Sequence, residues 1–226
     1  MNKKFLVVGL VVLFVVLLVA ILYTPKKEVK EELLGINYNI DGNESKLNYD
    51  TENPVVAMYI EGYGSIVIEL YPDIAPNTVN NFISLVKSGF YDNNTFHRLM
   101  PGFVLQGGDP TGSGSGGPGY TINGEFTING FENNLSHTKW IVSMARTSQD
   151  FNSAGSQFFI CIDDAKSLDG QYASFGKVID GFKNIESIEK NERIVDSNTG
   201  KLLNNLIIKK TIIDLKDKTY SDVVKN

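Results

Sequence analysis

A single arginine, Arg98, lies in an apolar stretch that reads FHRLMPGFVLQGGDP, from Phe96 to Pro110. The stretch contains one histidine and offers no serine, cysteine or lysine as a nucleophile. A guanidinium stays charged and carries its N–H donors in a rigid fork, so it can stabilise an electron-rich group without itself reacting. Taken alone, Arg98 is better explained as a surface salt-bridge partner, and the rest of the chain must decide its role.

Composition argues against several classes of function. The 226 residues include 21 Lys+Arg and 26 Asp+Glu, which give a net charge of −5. Because the lysines are scattered and form no basic stripe, we expect no nucleic-acid partner. Two histidines and one cysteine do not suffice for a Cys/His zinc site, and no DxDxDG loop occurs, so we expect no metal site. Cys161, in the apolar run QFFICI, is expected to be a buried hydrophobic residue.

The first 25 residues have the composition of a membrane anchor. Residues 5–23 read FLVVGLVVLFVVLLVAILY without a charge. At about 1.5 Å per residue, such a helix nearly spans a hydrocarbon core of roughly 30 Å. A cleavable signal peptide is the alternative and would make the protein secreted, but the run exceeds the usual apolar core of about 7–15 residues and lacks a small-x-small cleavage site. We therefore predict an uncleaved, single-pass anchor over residues 1–25.

The orientation of this anchor follows from its position. Lysines flank the apolar run almost equally on both sides, so their count does not decide which side is cytoplasmic. A short N-terminus before a long globular part usually stays in the cytoplasm. We therefore expect the globular part to be extracytoplasmic.

The rest of the chain divides into three parts by composition. Residues 26–53 are charged and rich in asparagine, which predicts a polar juxtamembrane linker. Residues 54–215 have the pattern of one folded domain, long enough to bury its own core. Residues 216–226, KDKTYSDVVKN, are predicted to be a polar tail.

Period-two and helical patterns predict the elements of the folded domain. PVVAMYI and SIVIELY flank the turn signal EGYG, which predicts a hairpin whose Ile66, Ile68 and Leu70 point inward. The segment PNTVNNFISLVKSG has Pro76 suited to a first helical turn and Gly89 suited to a C-cap, so it predicts a helix. A second helix is predicted over residues 182–189.

The remaining apolar runs are short and lie between glycine and asparagine clusters. Because they do not alternate with helical patterns, they favour a closed or nearly closed antiparallel sheet. The glycine-rich segment TGSGSGGPG, residues 111–119, lacks the GK[ST] ending of a phosphate-binding loop. It is predicted to be a flexible loop.

Four segments occur together in a specific order: APNTVNNFISL, FHRLMPGFVLQGGD, GSQFFIC and SLDGQYASFGKV. In order and rough spacing they resemble the cyclophilin peptidyl-prolyl cis-trans isomerases, over about residues 54–215. The resemblance implies a mainly β fold, an eight-stranded antiparallel closed β-barrel capped by two α-helices, with a proline pocket on its outer surface. It also implies an enzyme that rotates X-Pro peptide bonds.

The resemblance assigns site residues position by position. It makes Arg98, Phe103 and Gln106 the catalytic group. The substrate-binding positions fall on Val104, Ala145, Arg146, Thr147, Gln157, Phe159, Leu168 and Tyr172. Since neighbouring strand residues point oppositely, one of Phe158 and Phe159 must be core and the other available to the pocket.

Three positions depart from the best-known pattern of the family. Tyr172 replaces the usual histidine, Ser167 stands where a tryptophan is common, and Arg146 replaces an asparagine. Arg146 adds a cation to the peptide groove, so we hypothesise that acidic residues near the proline are favoured. Neither His97 nor His137 is expected to act as a base.

The implied reaction explains why an arginine suffices. The barrier to rotation, roughly 18–20 kcal/mol, comes from amide resonance, and no bond is broken. No nucleophile, metal or cofactor is therefore required; the enzyme must bind the twisted amide better than the planar forms. On twisting, the prolyl nitrogen regains a lone pair, and a guanidinium in apolar surroundings can donate to it.

Slow proline isomerisation limits folding, so such an enzyme would assist the folding of exported or membrane-proximal proteins. The expected partners are proline-containing peptide segments of client proteins, with the membrane as the attachment site, and we expect a monomer. The alternative is a non-catalytic proline-peptide-binding or chaperone module tethered to the membrane. Such a module could lose Arg98 and keep the pocket, so the presence of both favours the enzyme.

Overall fold

A computed structural model of the chain describes residues 38–41 and 44–226. The predicted anchor, residues 1–25, and residues 26–37 and 42–43 of the predicted linker lie outside the described residues. Within residues 38–41 and 44–226, no helix has both the length and the apolar character needed to cross a bilayer.

Thirteen helices and strands, and two short 3₁₀ turns, make up the described part of the chain. In chain order they are β1 (Tyr38–Asp41), β2 (Glu44–Leu47), β3 (Val55–Ile60), β4 (Gly64–Leu70), α1 (Pro76–Lys87), β5 (Asn94–Met100), β6 (Val104–Asp109), β7 (Ile141–Met144), β8 (Phe158–Cys161), β9 (Ser174–Asp180), α2 (Phe182–Asn191), β10 (Ile194–Asp196) and β11 (Lys201–Asp214). The 3₁₀ turns are Thr127–Asn129 and Lys166–Leu168.

Eight strands close into an antiparallel barrel. Their order is β11-β3-β4-β9-β7-β8-β6-β5, and β5 pairs again with β11 to close the ring. Among the described strands, the short β10 pairs with β11 alone, outside the ring, while β1 and β2 form a separate antiparallel pair. The prediction of a mainly β, eight-stranded closed barrel with two helices is confirmed.

The predicted β3–β4 hairpin is present, and its side chains alternate between the barrel core and the outer face. Ile66, Ile68 and Leu70 are fully buried there. Val67, on the opposite face of β4, is also buried, in a small cluster with Leu47 and Val55. The outer face of this hairpin is therefore covered by the segment that precedes the barrel.

Helix α1 begins at Pro76 and places Val79 and Phe82 in the barrel core. The backbone N–H groups in the first turn of α1 have no partner within the helix, and the buried Glu125 accepts hydrogen bonds from two of them. A role for Glu125 was not predicted from the sequence. Glu125 accepts hydrogen bonds from the backbone N–H groups of Asn77 at 3.0 Å and Thr78 at 2.8 Å. A carboxylate at this end also complements the helix dipole. The second predicted helix is present and extends two residues further, to Asn191.

Parts of the predicted polar linker and of the predicted polar tail pack against the barrel. Strand β2 lies in the predicted linker, and the Leu47 N–H donates to Asp214 Oδ2 at 2.8 Å. In the predicted tail, Tyr220 and Val223 are partly buried against the main core. Such segments cannot fold alone, but a finished barrel provides a surface on which a few apolar side chains are buried.

Candidate functional site

An apolar cluster lies on the outer face of the barrel, between β6, β8 and the 3₁₀ turn at residues 166–168. Its buried members are Val104, Phe159, Cys161 and Ala165. Partly buried residues pack around them: Met100, Phe103, Ala145, Leu168 and Tyr172. Six of the residues assigned to the site from the sequence are therefore brought together here.

Strand alternation separates this cluster from the barrel core. Phe158 points inward and meets Phe82 edge-on, with ring centroids 5.4 Å apart. Phe159 points outward and meets Tyr172 edge-on at 5.6 Å. The expectation that the two phenylalanines point oppositely is confirmed: Phe158 belongs to the barrel core and Phe159 to the outer apolar cluster. Cys161 forms part of the cluster floor, and burial raises the pKa of its thiol to about 12, so it is unreactive there.

A row of polar side chains starts at Arg98 and runs along the edge of this apolar cluster. Arg98 Nη1 donates to Gln106 Oε1 at 3.0 Å, and Gln106 Nε2 donates to Gln157 Oε1 at 3.0 Å. Gln157 Nε2 donates in turn to the carbonyl oxygen of Gly116 at 2.9 Å. Strand pairing sets this order, because Arg98 lies opposite Gln106, and Gln106 lies opposite Phe159.

Arg98 is half-buried and has no carboxylate partner in the described part of the chain. Burial lowers the pKa of its guanidinium, and Tyr172 acts in the opposite direction. The group remains a cation, since guanidinium is not deprotonated in proteins. Its Nη2 makes no hydrogen bond to any described residue. The salt-bridge explanation therefore does not apply, and a charged donor is left at the edge of the apolar cluster.

A turn after β10 holds the other side of Arg98. Arg98 Nε donates to the carbonyl oxygen of Thr199 at 2.8 Å. Asp196 shapes this turn, because its carboxylate accepts from Asn198 N and Thr199 Oγ1, each at 2.9 Å. Gly200 follows with φ +72°, and an added Cβ there would lie 2.6 Å from a backbone oxygen of β5. This turn was not predicted, although the run DSNTG carries the Asp, Asn and Gly of a turn signal.

The glycine-rich loop, residues 111–119, forms no helix or strand, but hydrogen bonds hold it in place. Asp109 Oδ1 accepts from Thr111 N at 2.7 Å, and its Oδ2 accepts from Gly114 N at 2.6 Å. Burial alone would raise the pKa of Asp109, yet the N–H groups of Gly116, Thr111 and Gly114 outweigh it and keep the pKa well below its usual range. The loop thereby presents its carbonyl oxygens to Gln157.

This loop forms one wall of a cavity of about 400 Å³ beside the apolar cluster. Side chains that line the cavity include Gln106, Tyr120, Thr121, Arg146, Thr147, Ser153 and Gln157. Arg146 is held firmly, since its Nε and Nη1 donate to the carbonyl oxygens of Gln171 at 3.0 Å and Thr147 at 2.8 Å. Its guanidinium also lies 4.6 Å from the Tyr172 ring centroid and 4.9 Å from that of Phe151. Arg146 and Thr147 therefore belong to this cavity and not to the apolar cluster.

His137 supports the apolar cluster from beneath. Its Nδ1 lies 2.9 Å from Asp169 Oδ1 and its Nε2 lies 3.0 Å from Ser143 Oγ, so it has two polar partners that the sequence did not reveal. Its ring stacks on Phe159 with centroids 6.0 Å apart. His137 is 1% exposed and Ser143 is fully buried, so neither reaches a substrate. The arrangement stacks the His137 ring on Phe159 and keeps both ring nitrogens away from solvent.

The buried histidines predict a fold that loses stability in acid. Burial lowers the pKa of His97 and of His137 below 6.5; Asp109 opposes this shift at His97, where Arg98 adds to it, and Asp169 opposes it at His137. Because the unfolded chain takes up these protons at higher pH than the folded chain, the stabilisation is complete above about pH 6.5 and is lost as the pH falls through the folded pKa values.

We therefore expect the midpoint of thermal unfolding to fall as the pH drops from 7 to 5, as followed by circular dichroism. A His97→Leu variant, which removes one of the two protonation sites, should show a smaller fall. An equal fall in both proteins would show that His97 does not contribute.

Comparisons with known proteins agree with this fold. The model of the cyclophilin type peptidyl-prolyl cis-trans isomerase/CLD family matches residues 55–213, and the chain belongs to this family. The predicted enzyme class, a peptidyl-prolyl cis-trans isomerase, is thereby confirmed. In the described part of the chain, no group of three or more His, Cys, Asp or Glu side chains is arranged to hold a metal ion.

Bacterial and eukaryotic relatives share most of the barrel. A peptidyl-prolyl cis-trans isomerase of Synechococcus elongatus is 42% identical over 134 residues, which cover 58% of this chain and 87% of that protein. Peptidyl-prolyl cis-trans isomerase B of Bacillus subtilis is 47% identical over 124 residues, 55% of this chain and 82% of that protein. The crystal structure of a Cryptosporidium parvum cyclophilin type isomerase in the presence of the dipeptide Ala-Pro has a TM-score of 0.63 and 36% identity, and the match covers 71% of this chain and 98% of that chain.

Proposed function

We propose that this isomerase acts on X-Pro bonds of exported or membrane-proximal proteins, tethered to a membrane by residues 1–25, with Arg98 as its catalytic group. The observation that carries the catalytic part is the half-buried Arg98 guanidinium, held between Thr199 and Gln106 with no carboxylate partner in the described residues. It faces an apolar cluster in which a proline ring can be buried. In support, the Cryptosporidium relative was crystallised in the presence of Ala-Pro.

In this mechanism the apolar cluster holds the pyrrolidine ring while the carbonyl side of the bond rotates. Phe159 forms the floor, and Phe103 and Leu168 lie at the sides. Arg98 donates to the prolyl nitrogen when twisting restores its lone pair, a contact that is weaker in either planar form. The apolar surroundings strengthen this contact because water is excluded.

The chain near Arg146 provides an edge for the peptide backbone. The N–H of Ala145 donates to the carbonyl of Gln157 at 2.9 Å, and the N–H of Thr147 donates to Ser153 Oγ at 2.9 Å. The N–H of Arg146, between them, makes no hydrogen bond to any residue that the structure describes. We propose that this group and the amide of Gln106 hold the peptide while the bond turns.

Turnover distinguishes the enzyme from a module that only binds. The full chain in detergent micelles should accelerate cis-trans isomerisation of a peptide containing Ala-Pro well above its spontaneous rate, which has a time constant of tens to hundreds of seconds. Peptide binding without acceleration, in a protein with a native circular dichroism spectrum, would leave the binding module as the function.

The membrane attachment is tested separately from the chemistry. We expect the full chain to remain with membranes after alkaline carbonate extraction, and a variant that lacks residues 1–25 to be released. Protease added to intact cells should degrade the folded domain if that domain is extracytoplasmic. Release of the intact full chain by carbonate would contradict the anchor, and protection in intact cells would reverse the orientation.

We also propose that the protein is active as a monomer, since one chain supplies every group of the proposed site. Light scattering of the full chain in micelles, corrected for detergent, should give the mass of one chain. The proposal would be wrong if the protein were a dimer and lost its activity at protein concentrations below the dissociation constant of that dimer.

A further inference from the structure

The last residues of the chain lie beyond the family match, which ends at residue 213, and they dock on the barrel beside the cavity. Val224 N donates to Asn77 Oδ1 and Asn77 Nδ2 donates to the carbonyl of Val224, both at 2.9 Å. Asn226 N donates to the carbonyl oxygen of Thr121 at 2.9 Å. This paired anchoring fixes residue 225, which lies between the two contacts.

Lys225 is thereby placed at the rim of the cavity. Its ammonium nitrogen lies 4.0 Å from the ring centroid of Tyr120, a cation–π contact. Tyr120 is itself fixed, because its hydroxyl donates to Asn81 Oδ1 at 2.7 Å. Tyr120 and Thr121 both line the cavity, so the cation stands beside the space that a bound peptide can enter.

Two features make this rim attractive to an anion. Among the described residues that line the cavity there is no aspartate or glutamate, although the chain as a whole carries a net charge of −5. Lys225 also forms no salt bridge with any described residue. By contrast, the cation of Arg146 is already committed to two carbonyl oxygens and to aromatic rings. Lys225 is therefore the better placed of the two cations to meet a carboxylate of the substrate.

We propose that Lys225 is a specificity-determining residue of this isomerase, which favours proline segments carrying an aspartate or glutamate within a few residues of the proline. This inference rests on the proposed function, because it places the proline in the apolar cluster. The cavity is the continuation of that site, since Gln106 and Gln157 belong to its wall and to the polar row that starts at Arg98. At about 3.3 Å per residue, an extended peptide that leaves the cluster past Gln106 reaches the cavity within a few residues.

The test compares paired peptides on the full chain in detergent micelles. Each pair has Asp or Asn at one of the four positions on either side of an Ala-Pro bond. For the unaltered protein, we expect the ratio of kcat/KM for Asp over Asn to reach about 1.5- to 5-fold at the best position, the range of an exposed ion pair. The ratio should shrink toward 1 in about 1 M salt, where charges are screened within roughly 3 Å.

Three variants locate the source of this preference. Lys225→Ala should bring the best ratio close to 1. Asn77→Ala, which keeps the charge but removes the anchor of the tail, should lower it as well. Lys87→Ala removes the same charge ten residues further along α1, about 15 Å from Asn77, and should leave the ratio unchanged.

The outcomes separate this inference from the proposed catalysis. A ratio of 1 at every position in the unaltered protein, or a preference that persists in Lys225→Ala, would overturn the role of Lys225. Peptide affinities are measured in parallel by fluorescence anisotropy. They test the preference for Asp even if the protein shows no turnover. If the protein binds Asp peptides more tightly and Lys225→Ala loses this preference, the specificity stands even though catalysis fails.

Discussion

Arg98→Ala is expected to lower kcat/KM for an Ala-Pro peptide by about 100- to 1,000-fold, the usual loss when one preorganised donor is removed from a charge-stabilising site. The loss should fall mainly on kcat, since in the proposed mechanism the contact between the guanidinium and the prolyl nitrogen is strongest when the bond is twisted. The apolar cluster remains intact, so the affinity for the peptide should change little. A prolyl isomerisation assay with the full chain, together with fluorescence anisotropy of the same peptide, measures both quantities.

Arg98→Lys is the matched control for charge. A lysine keeps the cation but lacks the planar fork that bonds Thr199 and Gln106 while leaving Nη2 for the substrate. We expect it to recover only part of the lost rate. Equal rates in the unaltered protein and in Arg98→Ala would show that an isomerase site exists but that this arginine is not its catalytic group.

Phe159→Ala is expected to have the second large effect, on both stability and binding. The side chain is 4% exposed, and its removal should lower the free energy of unfolding by about 3–5 kcal/mol. Because Phe159 forms the floor of the apolar cluster and stacks on His137, peptide binding should be lost as well. Chemical denaturation and fluorescence anisotropy measure the two effects.

Phe158→Ala supplies the control from the same strand. Phe158 is fully buried in the barrel core, so its truncation should cost a similar free energy of unfolding while the peptide still binds. Both variants are compared at a temperature at which near-ultraviolet circular dichroism shows a native fold. If both lost binding equally, the cluster around Phe159 would not be the peptide site.

The position of the Arg98 guanidinium depends on a row of hydrogen bonds at the site. The turn shaped by Asp196 fixes one side of Arg98, Gln106 fixes the other, and Gln157 ties that pair to the glycine-rich loop. Two segments outside the barrel strands therefore determine where the guanidinium points. If Arg98 is the catalytic group as proposed, substitutions in either segment should lower activity without touching the apolar cluster.

Local patterns in the sequence determined much of the barrel. Alternation with period two placed Ile66, Ile68 and Leu70 inside and set Phe158 and Phe159 on opposite faces, because neighbouring side chains of any strand point apart. Pro76 marked the start of α1 through its preference for the first helical turn. These features depend on a few consecutive residues, so they can be predicted without the rest of the fold.

Contacts between distant segments decided the rest. No local pattern indicates that Asp169 and Ser143 meet His137, that Glu125 satisfies the start of α1, or that Arg98 lacks a carboxylate partner among the described residues. Composition predicted a polar linker and a polar tail. Such segments cannot fold alone, but composition could not show that parts of both pack on a finished barrel. Lys225 reaches the cavity for the same reason: its position depends on a surface that exists only after the barrel has closed.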